Sequence, residues 1–258
     1  MVEIGEKIVA KCNNNPLAIK VLGSLLYGQD IRKWRCFEES GLAEIHNDEN
    51  TIMFVLKLSY HNLPSSLKSC FSYCAVFPKD FCIKRMMLID LWMAQGYIKP
   101  LDGCQSIEDA AEKHFSILLQ RRFFQDVKKD EYNNVVSVKI HDLMHDVALE
   151  VGGKEIQFWS FEAKIIGDKI RHLSSFSGIY QKSLLLREFP HDFSKLIQLR
   201  HLDVSNCFKL TSMPLGMDKL TSLKVLTEFL VGKKSLCHRQ CDDELKNLGT
   251  FTNLTGSI

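Results

Sequence analysis

FFQDVKKDEYNNVVSVKIHDLMHDVALE, residues 123–150, is the stretch where the spacing of apolar side chains changes twice. Phe123-Phe124-Gln125-Asp126-Val127 and Val136-Ser137-Val138-Lys139-Ile140 alternate with period two, which predicts two strands. The polar KKDEYNN between them reads as a loose hairpin loop. From about Asp142 to Glu150 the period returns to that of a helix, which Gly152-Gly153 should stop.

Upstream, three helical stretches follow one another: Ile52 to Tyr60, Pro64 to Ala75 and Lys84 to Gln95, punctuated by Leu63-Pro64 and Phe77-Pro78. A fourth should start at Ser106, with Asp109 three residues on as a candidate capping box, and run to about Arg121. Helices followed by a hairpin predict a winged helix. Further back, Pro16 opens a helix dense in Leu17, Ile19, Val21, Leu22, Leu25 and Leu26, after a shorter one carrying Val2, Ile4, Ile8 and Val9, and a short charged helix surrounds Trp34. Downstream there is a repeat. Phe189-Pro190 recurs as Met213-Pro214, and Leu196, Leu199 and Leu202 recur as Leu220, Leu223 and Leu226, all offset by 24 residues, a period of leucine-rich repeats. Two such units are too few to stand by stacking alone, so the solenoid lacks a layer or leans on the winged helix. The expected fold is mainly α with a winged-helix (α+β) module, followed by the start of an α/β leucine-rich-repeat solenoid. The expected divisions are 1–48 (helical), 49–152 (winged helix) and 153–258 (linker and repeats).

Four stretches, in this order, resemble the nucleotide-binding, leucine-rich-repeat disease resistance proteins of plants, the coiled-coil class in particular. They are CNNNPLAIKVLG from Cys12, LKLSYHNLPSSLKSCFSYCAVFPKD from Leu56 with LIDLWMAQGYI from Leu88, VKIHDLMHDVA from Val138, and RHLS from Arg171 with LTEFLVG and LKNLGTFTNLTGSI. The resemblance implies an intracellular immune receptor: ADP held in a closed state, ATP exchanged on activation, and a winged helix that rearranges against a nucleotide-binding domain. It also implies that Pro16 packs on adenine beside Leu17 and that a histidine ring meets the β-phosphate. At the family's G-L-P-L position this chain has Asn14-Asn15-Pro16-Leu17, so only Pro16 and Leu17 carry over. The family's closing Met-His-Asp motif aligns, by the register of the preceding strand, with Ile140-His141-Asp142 rather than with the literal Met144-His145-Asp146. The expected nucleotide contacts are therefore Pro16, Leu17, His141 and Asp142, with Asp142 also capping the helix it opens.

No G-x-x-x-x-G-K-[ST] loop occurs; Gly5 is followed by Glu-Lys without neighbouring glycines. The phosphate grip and its Mg²⁺ carboxylate would lie upstream of residue 1, and this chain alone should bind ADP or ATP weakly or not at all. No catalytic constellation is expected, and no metal. His141 and His145, each followed by Asp, lack a third ligand at suitable spacing. Cys70 and Cys74 belong to an apolar helix, and Cys237 and Cys241 flank His238 with no partner pair. The aromatic and Met positions Phe71, Phe77, Trp92 and Met93 read as core.

A DNA-binding winged helix is the main alternative, but its third helix, KRMMLIDLWMAQGY, carries Lys84 and Arg85 and then almost only apolar side chains, which neither read bases nor neutralise phosphates. A non-functional truncated paralogue is the other, because residues 171–189 are short for the family. Net charge of +2 from 33 basic and 31 acidic side chains gives no general pull to nucleic acid or membrane. Nine cysteines without regular spacing read as reduced thiols, and the charged MVEIGEKIVAKC is no secretory signal. The expected location is the cytoplasm, with the nucleus or the plasma-membrane face open. The expected partners are the upstream nucleotide-binding domain and a pathogen effector or guarded host protein.

Overall fold

The computed structural model describes residues 2–12, 15–41, 50–100, 106–158, 169–174, 189, 193–205, 207, 209–214, 216–228 and 254. The cysteine pair at 237 and 241, and the sequence from 229 to 253, lie outside them.

Three short helices lead: α1 (Val2–Lys11), α2 (Pro16–Leu26) and α3 (Ile31–Cys36), the last running into a single π turn, Phe37–Gly41. Asn15 Oδ1 accepts the Ala18 N–H at 3.0 Å, and Pro16 follows at the first helical position, where its missing N–H costs nothing. These helices bury Ile4, Ile8, Cys12, Ala18, Leu22 and Leu26 in a small core with Val55. Val55 lies on α4 (Asn50–His61), and the neighbouring Leu56, with Val21 of α2, enters the larger core instead. Helix α4 thus carries side chains of two cores on adjacent faces.

The larger core belongs to the helices and hairpin that follow. These are α5 (Ser65–Tyr73) with a 3₁₀ turn at Cys74–Val76, β1 (Ile83–Lys84), α6 (Arg85–Gln95), α7 (Ile107–Gln120), β2 (Phe124–Lys129), β3 (Val135–Ile140) and α8 (Asp142–Gly152). Strands β1, β3 and β2 form an antiparallel sheet in that order. Ser106 Oγ caps α7 by accepting the Asp109 N–H at 3.0 Å, so the expected start holds. Gly96 ends α6 in the left-handed region at φ 74°. Trp92, Phe71, Tyr73, Phe115 and Phe123 fill the centre, with Cys70 and Cys74 fully buried among them; the Cys74 thiol donates to the Cys70 carbonyl. This is the core role expected of the cysteines and of Phe71, Phe77 and Trp92.

The hairpin departs from its sequence reading. Its strands run on to Lys129 and start again at Val135, leaving a tight tip rather than a loose loop. The Asp130 carboxylate accepts the Tyr132 and Asn134 N–H groups and the Asn134 side-chain amide, and Lys129 Nζ donates to Asn133 Oδ1. Those hydrogen bonds hold Asp130 below the usual carboxylate range. Residues that look like loop by polarity are here a side-chain-closed turn.

Beyond α8, a second sheet is wholly parallel: β4 (Ile156–Phe158), β5 (His172–Ser174), β6 (His201–Asp203) and β7 (Val225–Leu226), adjacent in that order. The 24-residue offset reappears in space. The 3₁₀ turns Phe193–Lys195 and Met217–Lys219 precede β6 and β7 at equivalent positions, and Leu196, Leu199, Leu202, Leu220 and Leu223 share one apolar cluster. Strand β5 pairs directly with β6, and β4 packs against the turn Cys74–Val76. The sheet leans on the winged helix. Among the described residues the chain is mixed α/β, mostly helical, with one small antiparallel and one parallel sheet.

Candidate functional site

Strand β3 buries Val138 and Ile140, and the chain then turns into α8 through His141. His141 has extended backbone (φ −65°, ψ 141°), and its Nδ1 accepts the Leu143 N–H at 3.2 Å. The N-cap is therefore His141. Asp142, expected as the cap, is instead the first helical residue and lies exposed, where a carboxylate favours the positive end of the helix dipole without capping it. Because Nδ1 accepts, the neutral ring carries its proton on Nε2, and the half-buried imidazole can donate one hydrogen bond to an acceptor at this helix end.

One turn on, the second histidine is placed differently. His145 is 3% exposed and Met144 fully buried. His145 Nε2 donates to the Phe77 carbonyl at 2.7 Å, which leaves Nδ1 without a partner. Burial, in first place, and Lys79 push its pKa below the ordinary value, against the pull of the Phe77 bond and of Asp146 and Asp142. Asp146 pairs with Lys79 at 2.7 Å, and Lys139 with Asp80 at 3.6 Å. The literal Met144-His145-Asp146 thus pins α8 to the Phe77–Asp80 turn, while Ile140-His141-Asp142 presents its two polar members outward. Each imidazole already has a nitrogen committed to the backbone. The strand register read from the sequence already set His141 apart from His145; the bond from His145 to the Phe77 carbonyl is what the fold adds.

At the other expected contact, Pro16 is exposed at the start of α2, and Leu17 is half-buried against the main core. Helices α2 and α8 both pack on α4. Among the described residues no hydrogen bond joins Pro16 or Leu17 to His141 or Asp142, and the link between the pairs is their shared neighbour. Asn14, which stands at the family's glycine position, lies outside the described residues.

Helix α6, the would-be DNA reader, is covered. Leu88, Ile89, Trp92 and Gln95 are buried, α7, β1, β3 and β7 pack against it, and Arg85 is held by both oxygens of Glu112. Its exposed side chains are Met86 and Asp90, which offer DNA no donor and a repelling charge.

A seam that sequence reading missed joins α5, α6 and the residues just after α6 to the parallel sheet. The Tyr73 hydroxyl meets His201 Nδ1 at 2.8 Å, the Tyr97 hydroxyl meets His172 Nε2 at 3.1 Å, and Lys224 Nζ donates to the Gln95 carbonyl at 3.2 Å. Separations of 128 and 75 residues left no local signal.

Comparison with known proteins agrees with this architecture. The family described as "Disease resistance protein Winged helix domain" matches residues 76–148. The chain is 33% identical to "Putative disease resistance protein RGA4" of Solanum bulbocastanum, over 100% of this chain and 32% of that protein. It is 34% identical to "Disease resistance protein RGA2" of the same species over 80% of this chain and 21% of that protein. It is 31% identical to "Disease resistance protein RPM1" of Arabidopsis thaliana over 59% and 17%. The chain spans about a third or less of the length of these relatives. No described helix is long and apolar enough to cross a membrane. With a helical core, an antiparallel hairpin and a trailing parallel sheet in the order its motifs require, the chain belongs to the plant disease resistance family whose members join a nucleotide-binding domain, a winged helix and leucine-rich repeats.

Proposed function

We propose that this chain is the sensing and recognition portion of an ADP/ATP-controlled immune receptor, with no turnover of its own. The observation that carries the reading is His141: a ring with Nδ1 committed to Leu143, its Nε2 proton available, at the positive end of an eleven-residue helix. That arrangement suits a phosphate. Bound ADP or ATP would supply the anionic oxygen that such a donor distinguishes by presence or charge. Asp142 beside it tempers the positive end, and His145 with Lys79–Asp146 fixes where that end points. Pro16 and Leu17, on a helix held by α4, are placed to follow the same nucleotide's base in this reading.

The parallel strands β4 to β7, two of them at a 24-residue offset, are on this reading the first layers of a leucine-rich-repeat solenoid. The partners are then the nucleotide-binding domain that holds the phosphate loop and, through repeats, a pathogen-derived or guarded host protein, met in the cytoplasm.

In a receptor carrying both the phosphate loop and this chain, His141→Ala and Asp142→Val should each release bound ADP at least tenfold faster and raise basal signalling. Nucleotide dissociation measured by filter binding checks this; ADP retention unchanged in both variants overturns the assignment.

A further inference from the structure

The seam between the winged helix and the parallel sheet contains four ring systems that are unusual in one place. His172 and His201 are paired residues on adjacent strands β5 and β6, each 2% exposed. Tyr73, 1% exposed, stacks on His201 with centroids 5.7 Å apart and meets His172 edge-on at 5.0 Å. Tyr97 meets Tyr73 edge-on. Each histidine takes one hydroxyl, and His172 Nδ1 is buried without a partner.

The charged and titratable groups around the two tyrosines and two histidines come from every packed element. Cys70, Cys74 and Tyr73 come from α5 and its turn, Tyr97 from beyond α6, and Glu155 from before β4. Arg171, Arg200 and Lys224 precede β5, β6 and β7, and Asp203 lies on β6. Glu155 is occupied by Arg171 at 3.2 Å. The Asp203 carboxylate is occupied by Ser205, Thr227 and Ser174. Arg200 and Lys224 add positive charge, while the hydrogen-bonded Asp203 carboxylate still acts against them at His201. A proton added to either imidazole would be a buried charge, at His172 beside Arg171 and Arg200, and would force the tyrosine hydroxyl facing it to turn from donor to acceptor.

We infer that the tyrosine–histidine seam is an acid-sensitive joint, closed only while His172 and His201 are both neutral, whose protonation frees the parallel sheet from the winged helix. Burial, then His201 and the two arginines, holds His172 well below the ordinary imidazole range; burial pushes His201 down to about 4 against the opposing pull of Asp203. Both pKa values rise to the ordinary value of about 6.5 once the seam opens. The open state therefore binds more protons, and closure, complete above pH 6.5, weakens as the pH falls below it. Two imidazoles together predict a several-hundred-fold loss of closure between about pH 7 and pH 5. This stands apart from the nucleotide reading, since it needs neither His141 nor ADP.

Amide exchange on the full chain, corrected for intrinsic rates at each pH, tests it. Protection of the amides of 172–174 and 201–203 should fall by several hundred-fold from pH 7 to pH 5. The double variant His172→Gln, His201→Asn keeps an acceptor near each hydroxyl but cannot titrate, and its protection should be flat. Protection in the parent flat to within threefold, or lost equally in the variant, overturns the inference. If the variant fails to fold, imidazole NMR of the parent decides. Two rings that stay neutral until β5 and β6 lose protection support the joint, and rings titrating near 6.5 within a protected sheet overturn it.

Discussion

His145 shows how one side chain sets the orientation of a helix. Its Nε2–H satisfies the Phe77 carbonyl inside the core, a bond no apolar residue replaces. Removing it leaves that carbonyl buried and unpaired, so His145→Ala should destabilise the chain by about 2–3 kcal/mol, measured by urea unfolding. The conservative His145→Gln should recover part of this. The pKa of this imidazole is lower folded than unfolded, so its contribution is complete above the unfolded value of about 6.5 and declines as the pH falls below it. A Tm that drops more between pH 7 and pH 5 in the parent than in His145→Gln is the expected signature. His141, with the same residue type four positions earlier, sits half-buried with a free Nε2, and no composition rule distinguishes the two.

At the scale of elements, local chemistry explains most boundaries. Ser106 starts α7 and Gly96 ends α6 for reasons visible in the residue types, and Ser106→Ala should cost about 1 kcal/mol by the same unfolding assay. The hairpin was half legible. Its alternation is plain in Val136–Ile140, but the closing role of Asp130 depends on three acceptor contacts that only the folded tip assembles. Helix α8 was readable to within two residues, whereas its cap was assigned to Asp142 because carboxylates cap more often than imidazoles; strand β3 delivers His141 to that position instead. The repeat turns carry a further constraint. Gly216 has φ 82°, and a Cβ there would stand 2.6 Å from the Ser194 Cβ of the preceding turn. Gly216→Ala therefore meets both backbone strain and a neighbouring side chain, and should lower stability by about 1–3 kcal/mol with β6 and β7 losing amide protection first.

Across the whole molecule, the parallel sheet does not stand alone. Its first strand follows α8 after one 3₁₀ turn, packs on Cys74–Val76, and is tied back by Tyr73, Tyr97 and Lys224. Periodicity, caps, the specific stretch from Leu56 to Asp80 and the 24-residue offset are properties of neighbouring residues, and the sequence by itself determined from them the helices, the hairpin, the repeat and the family. The cap made by His141, the bond from His145 to the Phe77 carbonyl, the need for Gly216 and the histidine seam emerge only in the folded chain. Each depends on how groups meet when the three apolar cores and the two described sheets pack, and sequence spacing carries no term for that.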